Sequence, residues 1–397
     1  MAEQVVVPRM RGFIATSAHP AGCAQMVAAQ IARARRDAEG WTGGKALILG
    51  SSAGYGLATR IVAAFRYGMD TLGVFYERPA KGERTASAGW YNTRAFTEAA
   101  RADGLKAVNI NGDAFSTEVL QQALATLKAE FGPIDLVVHS LAAPQRTDPV
   151  TGITHRSVLK AIGQSVQEKT VDLYTGEVVI ADVPVATEEE IEGTVAVMGG
   201  ADLERWVDAL LEAGLLARNA KVMAYSYIGP NVTWPYYHHG TIGRAKADLE
   251  ATCKRLDARL AREIEGHCYV SVNKSIVTQA ASAIPIVPLY VSVAYGVMKE
   301  QGVHEEAIDQ MIRLFEDHVG PGAEPTFDAQ GRIRLDDREM HEDIQQVVTA
   351  RWPRIDTDHL DTLTDWAGCQ LAFRQLFGFD VPGVDYDAPV EIDLPLP

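Results

Sequence analysis

Two side chains able to handle a proton, Tyr237 and Lys246, lie close together in the chain with eight residues between them. A phenol, with a pKa of about 10, gives up its proton only when the phenolate left behind is stabilised, and a nearby ammonium does that. Such a pair suits a reduction in which hydride adds to one atom and a proton to another. Far upstream, Gly50, Gly54 and Gly56 form a G-x-x-x-G-x-G turn. Glycines there permit a tight bend and a close approach of a pyrophosphate to a helix N-terminus, where free amides and the helix dipole favour anions. The spacing is not G-x-G-x-x-G, and alone it also fits an ordinary strand-to-helix turn. Glu77 adds a second sign, because a carboxylate ending the next strand can hydrogen-bond the adenosine ribose hydroxyls and disfavour a 2′-phosphate. That points to NADH, with Arg78 as a rival phosphate partner.

These residues need a scaffold, and the sequence supplies one. Lys45 to Gly50 reads as a buried strand, Gly50 to Gly56 as a loop and Leu57 to Tyr67 as a helix. Further strands are expected at Leu72 to Glu77, Leu105 to Ile110 and Ile134 to His139, separated by helices near Asn92 to Ala102 and Thr117 to Phe131. A fifth strand at Ala220 to Tyr227, a helix from Thr241 to Ile264 and a sixth strand at Cys268 to Asn273 complete the alternation. This order predicts an α/β fold of the Rossmann type with a doubly wound parallel sheet. One large domain is expected, with its core at about 45–143 and 220–280. Residues 144–218 read as an insertion with a hairpin around Tyr174 to Glu177 and two short helices, and 285–397 as a helical extension. Asp113-Ala114 and Leu141-Ala142 follow the third and fourth strands, where such a sheet meets its ligand.

Nine positions on one continuous helix would place Tyr237 and Lys246 on opposite faces, so Tyr237 must precede the helix, with Gly240 permitting the bend. Tyr295 and Lys299 have the Tyr-x-x-x-Lys spacing of short-chain dehydrogenases and would serve a ketone or alcohol dehydrogenase. They lie beyond the sixth strand in an apolar segment, which favours a core role for Tyr295. Arg244, seven positions after Tyr237, is not equivalent to a lysine at such a site. His238-His239 has no third ligand at metal spacing, so no metal is expected, and His139 reads as structural.

The formal charge of −15, from 52 acidic and 37 basic side chains, argues against a nucleic-acid partner. Arg33, Arg35 and Arg36 are assigned to a solvated helix face. Four scattered cysteines without a C-x-x-C imply a reducing compartment, and Met1 to Gln30 lacks the pattern of a secretory signal, so a cytoplasmic protein is expected. Ser275 to Met298 has no charged side chain before its end, but Pro285 and Pro288 would break a spanning helix, and a buried segment is expected instead of membrane insertion. A protein that binds NADH without turning it over is a further alternative.

Several long stretches then carry a likeness to a known family. Ile48-Leu-Gly-Ser-Ser-Ala-Gly-Tyr-Gly-Leu-Ala58, Gly89-Trp-Tyr-Asn92, Asn111-Gly-Asp-Ala-Phe115, Ala224-Tyr-Ser-Tyr-Ile-Gly-Pro230, Thr233-Trp-Pro235, Gly240-Thr-Ile-Gly243 and Val272-Asn-Lys274 through Pro285 resemble the FabV-type trans-2-enoyl reductases. The resemblance runs from about Arg11 to the tail. It implies an enlarged, monomeric relative of short-chain dehydrogenases that reduces a trans-2-enoyl thioester, on acyl carrier protein or coenzyme A, with NADH in fatty-acid synthesis. It assigns NADH contacts to Gly50, Ser51, Ser52, Ala53, Gly54, Tyr55, Tyr76, Glu77, Asp113, Ala114, Leu141, Ala142, Lys246, Ser275, Ile276, Val277 and Thr278. Tyr227 is implied to touch substrate and Tyr237 to donate the proton. His139 and His238-His239 depart from the residues commoner in that family.

Overall fold

The computed structural model of the chain describes residues 3–11, 14–173 and 175–397. Helix α1 (Pro20–Ala34) begins on proline, which suits a first helical position, and the His19 ring nitrogen accepts from the Gly22 amide at 3.2 Å. The chain then enters a parallel sheet through β1 (Lys45–Leu49), α2 (Gly54–Tyr67), β2 (Asp70–Phe75), α3 (Ala88–Ala102), β3 (Ala107–Asn111), α4 (Thr117–Thr126) and β4 (Ile134–His139). After the insertion, which carries α5 (Glu188–Met198) and α6 (Ala201–Glu212), come β5 (Leu216–Ser226), α7 (Thr241–Ile264) and β6 (His267–Val272). The C-terminal part adds α8 (Val287–Glu300), α9 (Ala307–Leu314), a short β7 (Ile333–Arg334), α10 (Glu342–Arg351) and α11 (Trp366–Gln375).

Among the described residues the sheet has seven strands in the order β3-β2-β1-β4-β5-β6-β7, all parallel. Leu47 of β1 stands level with Leu72 of β2 and with Val137 of β4, so the strand order reverses on either side of β1. Ligands of open α/β sheets bind outside the carboxyl ends of the strands at such a reversal. Successive strand residues point to opposite faces. Leu47, Leu49, Val137 and Ala224 pack with α4, α6 and α7, while Ala46, Ile48, Val138 and Met223 pack with α1, α2, α3 and α9. Burial on both faces is why the strands are continuously apolar rather than alternating.

A third apolar cluster joins the insertion to the C-terminal extension. Val171 and Val183, from an antiparallel pair Val166–Val171 and Val178–Val183, meet Val287, Val291, Ile344 and Trp366. That pair is the expected hairpin, although Tyr174 at its turn lies outside the described residues. Ser275 to Met298 is largely interior, and among the described residues no helix is long and apolar enough to cross a membrane.

Several expectations need correction. The second strand ends at Phe75, so Glu77 stands two residues beyond it rather than closing it. The third strand begins at Ala107, not Leu105, and the fifth begins at Leu216, inside the supposed insertion. The structure adds a second hairpin, Gln145–Thr147 with Thr154–Arg156, and the edge strand β7. Arg35 and Arg36 lie past the end of α1, and the arginines pair with Asp309, Asp103 and Glu316 instead of merely facing solvent.

Candidate active site

The glycine turn is shaped by close backbone approach. Gly50 has φ +87°, and a Cβ there would lie 2.0 Å from the Ser140 carbonyl oxygen. A Cβ on Gly56 would lie 2.0 Å from the Gly50 carbonyl oxygen. Both positions therefore exclude a side chain, whereas Gly54, at φ +53°, faces open space with Thr278 Cγ2 at 3.8 Å from its would-be Cβ. Ala53 caps α2 without any side-chain hydrogen bond, so the first-turn amides stay available to an anion. The cradle fits a dinucleotide pyrophosphate.

Glu77 reaches back to this turn, where Ser52 Oγ donates to its Oε1 at 2.7 Å. Its backbone is clamped by Asn111, which accepts from the Glu77 amide at 2.8 Å and donates to the Glu77 carbonyl at 2.9 Å. Position past the strand end thus does not cost the carboxylate its place. Tyr76 is 79% exposed and offers a flat ring at the rim. Asp113 turns onto its own loop, accepting from the Phe115 amide at 2.9 Å, while the Ala114 carbonyl accepts from Arg205 and Trp206. Leu141 and Ala142 follow Ser140, the first residue past β4, whose carbonyl closes over Gly50.

Tyr237 sits in a turn before α7, its amide donating to the Thr233 carbonyl at 2.9 Å. The bend depends on Gly240 and Gly243, whose Cβ atoms would lie 2.0 Å from the Tyr236 carbonyl oxygen and 1.8 Å from that of His238. Tyr237 is buried, which pushes its phenol well up from the usual value. Its ring meets that of Tyr227 edge-on at 5.2 Å. Lys246, within α7, donates from Nζ to the Tyr225 carbonyl at 3.1 Å. Burial lowers its pKa to about 8, against the opposing pull of Glu250 one turn on. No hydrogen bond joins Tyr237 to Lys246 among the described residues; both instead meet the end of β5, at Tyr227 and Tyr225.

Tyr295 and Lys299 lie together, with Lys299 Nζ 5.7 Å from the Tyr295 ring centroid, but the polar ends of both are engaged elsewhere. The Tyr295 hydroxyl accepts from the Val277 amide at 3.1 Å, and Lys299 pairs with Asp365. His238 and His239 pack on Trp234, with ring centroids at 5.1 and 5.8 Å.

Sequence reasoning missed a buried polar network behind Ser275. Tyr55 donates to the Lys274 carbonyl at 2.7 Å, Lys274 Nζ to the Ser275 carbonyl at 2.9 Å, and Ser275 to the Glu339 carboxylate. Lys274 lay inside a recognised stretch, but nothing local in the sequence marks Glu339.

A reversal in strand order, an uncapped glycine turn, a carboxylate held beside that turn and a buried tyrosine in the turn before a lysine-bearing helix define a dinucleotide-dependent oxidoreductase of the Rossmann type. Comparison with known proteins narrows the class. The sequence profile described as trans-2-enoyl-CoA reductase catalytic region matches residues 84–319, and that of the NAD(P)H binding domain of trans-2-enoyl-CoA reductase matches 5–82. Enoyl-[acyl-carrier-protein] reductase [NADH] of Opitutus terrae is 50% identical over 99% of this chain and 100% of its own. The protein of the same name from Flavobacterium johnsoniae is 51% identical over 97% of each. Trans-2-enoyl-CoA reductase of Treponema denticola, solved with NAD, superposes with TM-score 0.94 at 43% identity, covering 99% of this chain and 100% of that one. The Clostridium acetobutulicum enzyme, solved with NADH, gives 0.94 at 41% identity over 98% of each chain. The chain belongs to the trans-2-enoyl-CoA reductase family.

A third profile, described as an enoyl reductase FAD binding domain, matches residues 327–390. The residues there do not fit a flavin. Helix α10 opens on Glu342 and Asp343, and α11 follows Asp365, so carboxylates already stand where a pyrophosphate would need amides. The inward side chains Ile344, Val348, Trp352, Leu363 and Trp366 are packed into the third apolar cluster.

Proposed function

We propose that this protein reduces the C2=C3 double bond of trans-2-enoyl thioesters, on acyl carrier protein or coenzyme A, with NADH in fatty-acid synthesis. The observation that carries the reading is the edge-on contact of buried Tyr237 with Tyr227 just past the end of β5, the strand whose Tyr225 carbonyl accepts from Lys246. NADH, when bound, supplies the hydride that adds to C3. The backbone of Gly50 to Tyr55, the Glu77 carboxylate and the segments at Tyr76, Asp113-Ala114, Leu141-Ala142 and Ser275 to Thr278 hold the cofactor.

Tyr237 donates its hydroxyl to the thioester oxygen as negative charge gathers there, and its proton passes to the substrate directly or through solvent. Burial disfavours the phenolate, so the proton stays on Tyr237 until that charge develops. Lys246 anchors the nicotinamide ribose and stabilises the phenolate as an ammonium. Tyr227 contacts the substrate beside it. A cytoplasmic monomer is part of the reading, and four free, buried cysteines support a reducing compartment.

The test is steady-state NADH oxidation with crotonyl-CoA, a longer enoyl-CoA and an enoyl-acyl carrier protein, repeated with NADPH. Turnover with NADH in excess of NADPH is expected. Inactivity with every enoyl thioester overturns the reading.

A further inference from the structure

We infer that Glu339, delivered by the C-terminal extension, is a positioning residue for the reduction, holding Tyr227 and the start of the Ser275–Thr278 segment in one geometry. This rests on the reading of Tyr227 as a substrate contact and of that segment as a cofactor wall. Strand β7 pairs with β6 at Ser271 and Val272, and the amides of Leu335 and Asp336 both donate to the Val272 carbonyl, at 2.9 and 3.1 Å. The Met340 amide then turns back to the Asp336 carbonyl at 2.8 Å. A parallel edge strand must end on the same side of the sheet as its neighbours, so this turn lands over the exit of β6, where Asn273, Lys274 and Ser275 follow.

Glu339 is 0% exposed there. Its carboxylate accepts from the Ser275 amide at 2.8 Å, Ser275 Oγ at 2.7 Å, Tyr290 Oη at 2.7 Å and Tyr227 Oη at 3.3 Å. No ion pair reaches it among the described residues, since Lys274 turns to the Ser275 carbonyl and lies 4.0 Å over the Tyr295 ring. A buried carboxylate without an ion pair is costly compared with a packed apolar side chain, so filling space does not explain it. Its four donors do. With its proton committed to Glu339, Tyr227 keeps its ring edge-on to Tyr237 and its oxygen lone pairs facing away from the carboxylate. The cofactor segment is pinned twice, at Ser275 by Glu339 and at Val277 by Tyr295. Burial pushes the Glu339 carboxyl up, and Lys274 with the Tyr290 and Ser275 hydrogen bonds pulls it back.

The test is a double-mutant cycle of Glu339→Gln with Tyr227→Phe, read as kcat and the KM for NADH alongside thermal unfolding. Glu339→Gln alone is expected to lower kcat by about 10- to 100-fold, and to lower it by less than about threefold when Tyr227 is already Phe, while the KM for NADH rises in both backgrounds because an amide nitrogen cannot replace both carboxylate oxygens as acceptors for Ser275. Equal losses in both backgrounds make Glu339 a structural residue and overturn the proposal. If Tyr227→Phe alone turns over like the wild type, the substrate role of Tyr227 falls and the proposal with it, a result distinct from a slow Tyr227→Phe without coupling. Should Glu339→Gln fail to fold, Ser275→Ala with Tyr227→Phe closes an equivalent cycle with the carboxylate intact. Coupling above about threefold is then expected, and independent effects contradict it.

Discussion

Around the glycine turn the protein builds its candidate cofactor site from backbone: side chains are excluded at Gly50 and Gly56, the α2 amides are uncapped, and the one carboxylate, Glu77, accepts from Ser52 while Asn111 clamps its backbone. Around Tyr227 and Tyr237 it works through side chains drawn from β5, the turn before α7, the exit of β6, α8 and the segment after β7. The first region should fail when shape is changed, and the second when single atoms are removed.

The largest expected effect on this contrast is in the second region. Lys246→Met should lower kcat by about a thousandfold, because a half-buried ammonium stabilises charge better than one in water. Its ionisation sets a related limit. Burial favours the neutral amine, so the ammonium is present below and lost above a pH of about 8. The profile of kcat/KM in the wild type should therefore fall on its alkaline side from near that value; a flat profile to well above it contradicts the assignment.

Next comes the cradle. Gly50→Ala places a methyl against the Ser140 carbonyl at a left-handed φ, and the KM for NADH should rise by roughly 10- to 100-fold with kcat at saturating cofactor much less affected. An equal loss in kcat would mean that the two regions are not separable. Glu77→Gln removes a charged acceptor from the ribose site, and the ratio of kcat/KM for NADPH to that for NADH should rise about tenfold. The smallest effect belongs to Lys299→Met. Its ammonium pairs with Asp365 away from the Tyr295 hydroxyl, so enoyl-thioester turnover should stay within about twofold of wild type.

The same contrast explains what the sequence could disclose. The cradle is contiguous: apolar strand, glycines, helix, and a carboxylate on the next strand's exit, so its parts and order are visible in one dimension. Helix α7 was legible to its bounds, Thr241 to Ile264, because glycine precedes it and an apolar stripe runs its length. The nine-residue offset placed Tyr237 outside that helix, as found. The boundary of β2 was harder, since Tyr76 and Glu77 continue a plausible strand pattern and only the loss of pairing after Phe75 ends it. Strand β7 was invisible for a stronger reason: two residues carry no periodicity, and their pairing with Ser271 and Val272 spans some sixty residues of helix and loop. Glu339 inherits that invisibility. An acidic residue in the stretch Asp336 to Met340 reads as solvated until the fold turns it inward.

In the proposed mechanism Tyr237 donates the proton that accompanies reduction. Single-turnover NADH oxidation by the NADH-loaded enzyme, with saturating crotonyl-CoA, tests it most directly in Tyr237→Phe. Loss of the phenolic proton should slow the chemical step by about 10²- to 10⁴-fold while NADH still binds, since the ring and its edge contact with Tyr227 survive. A single-turnover rate equal to that of the wild type would contradict it.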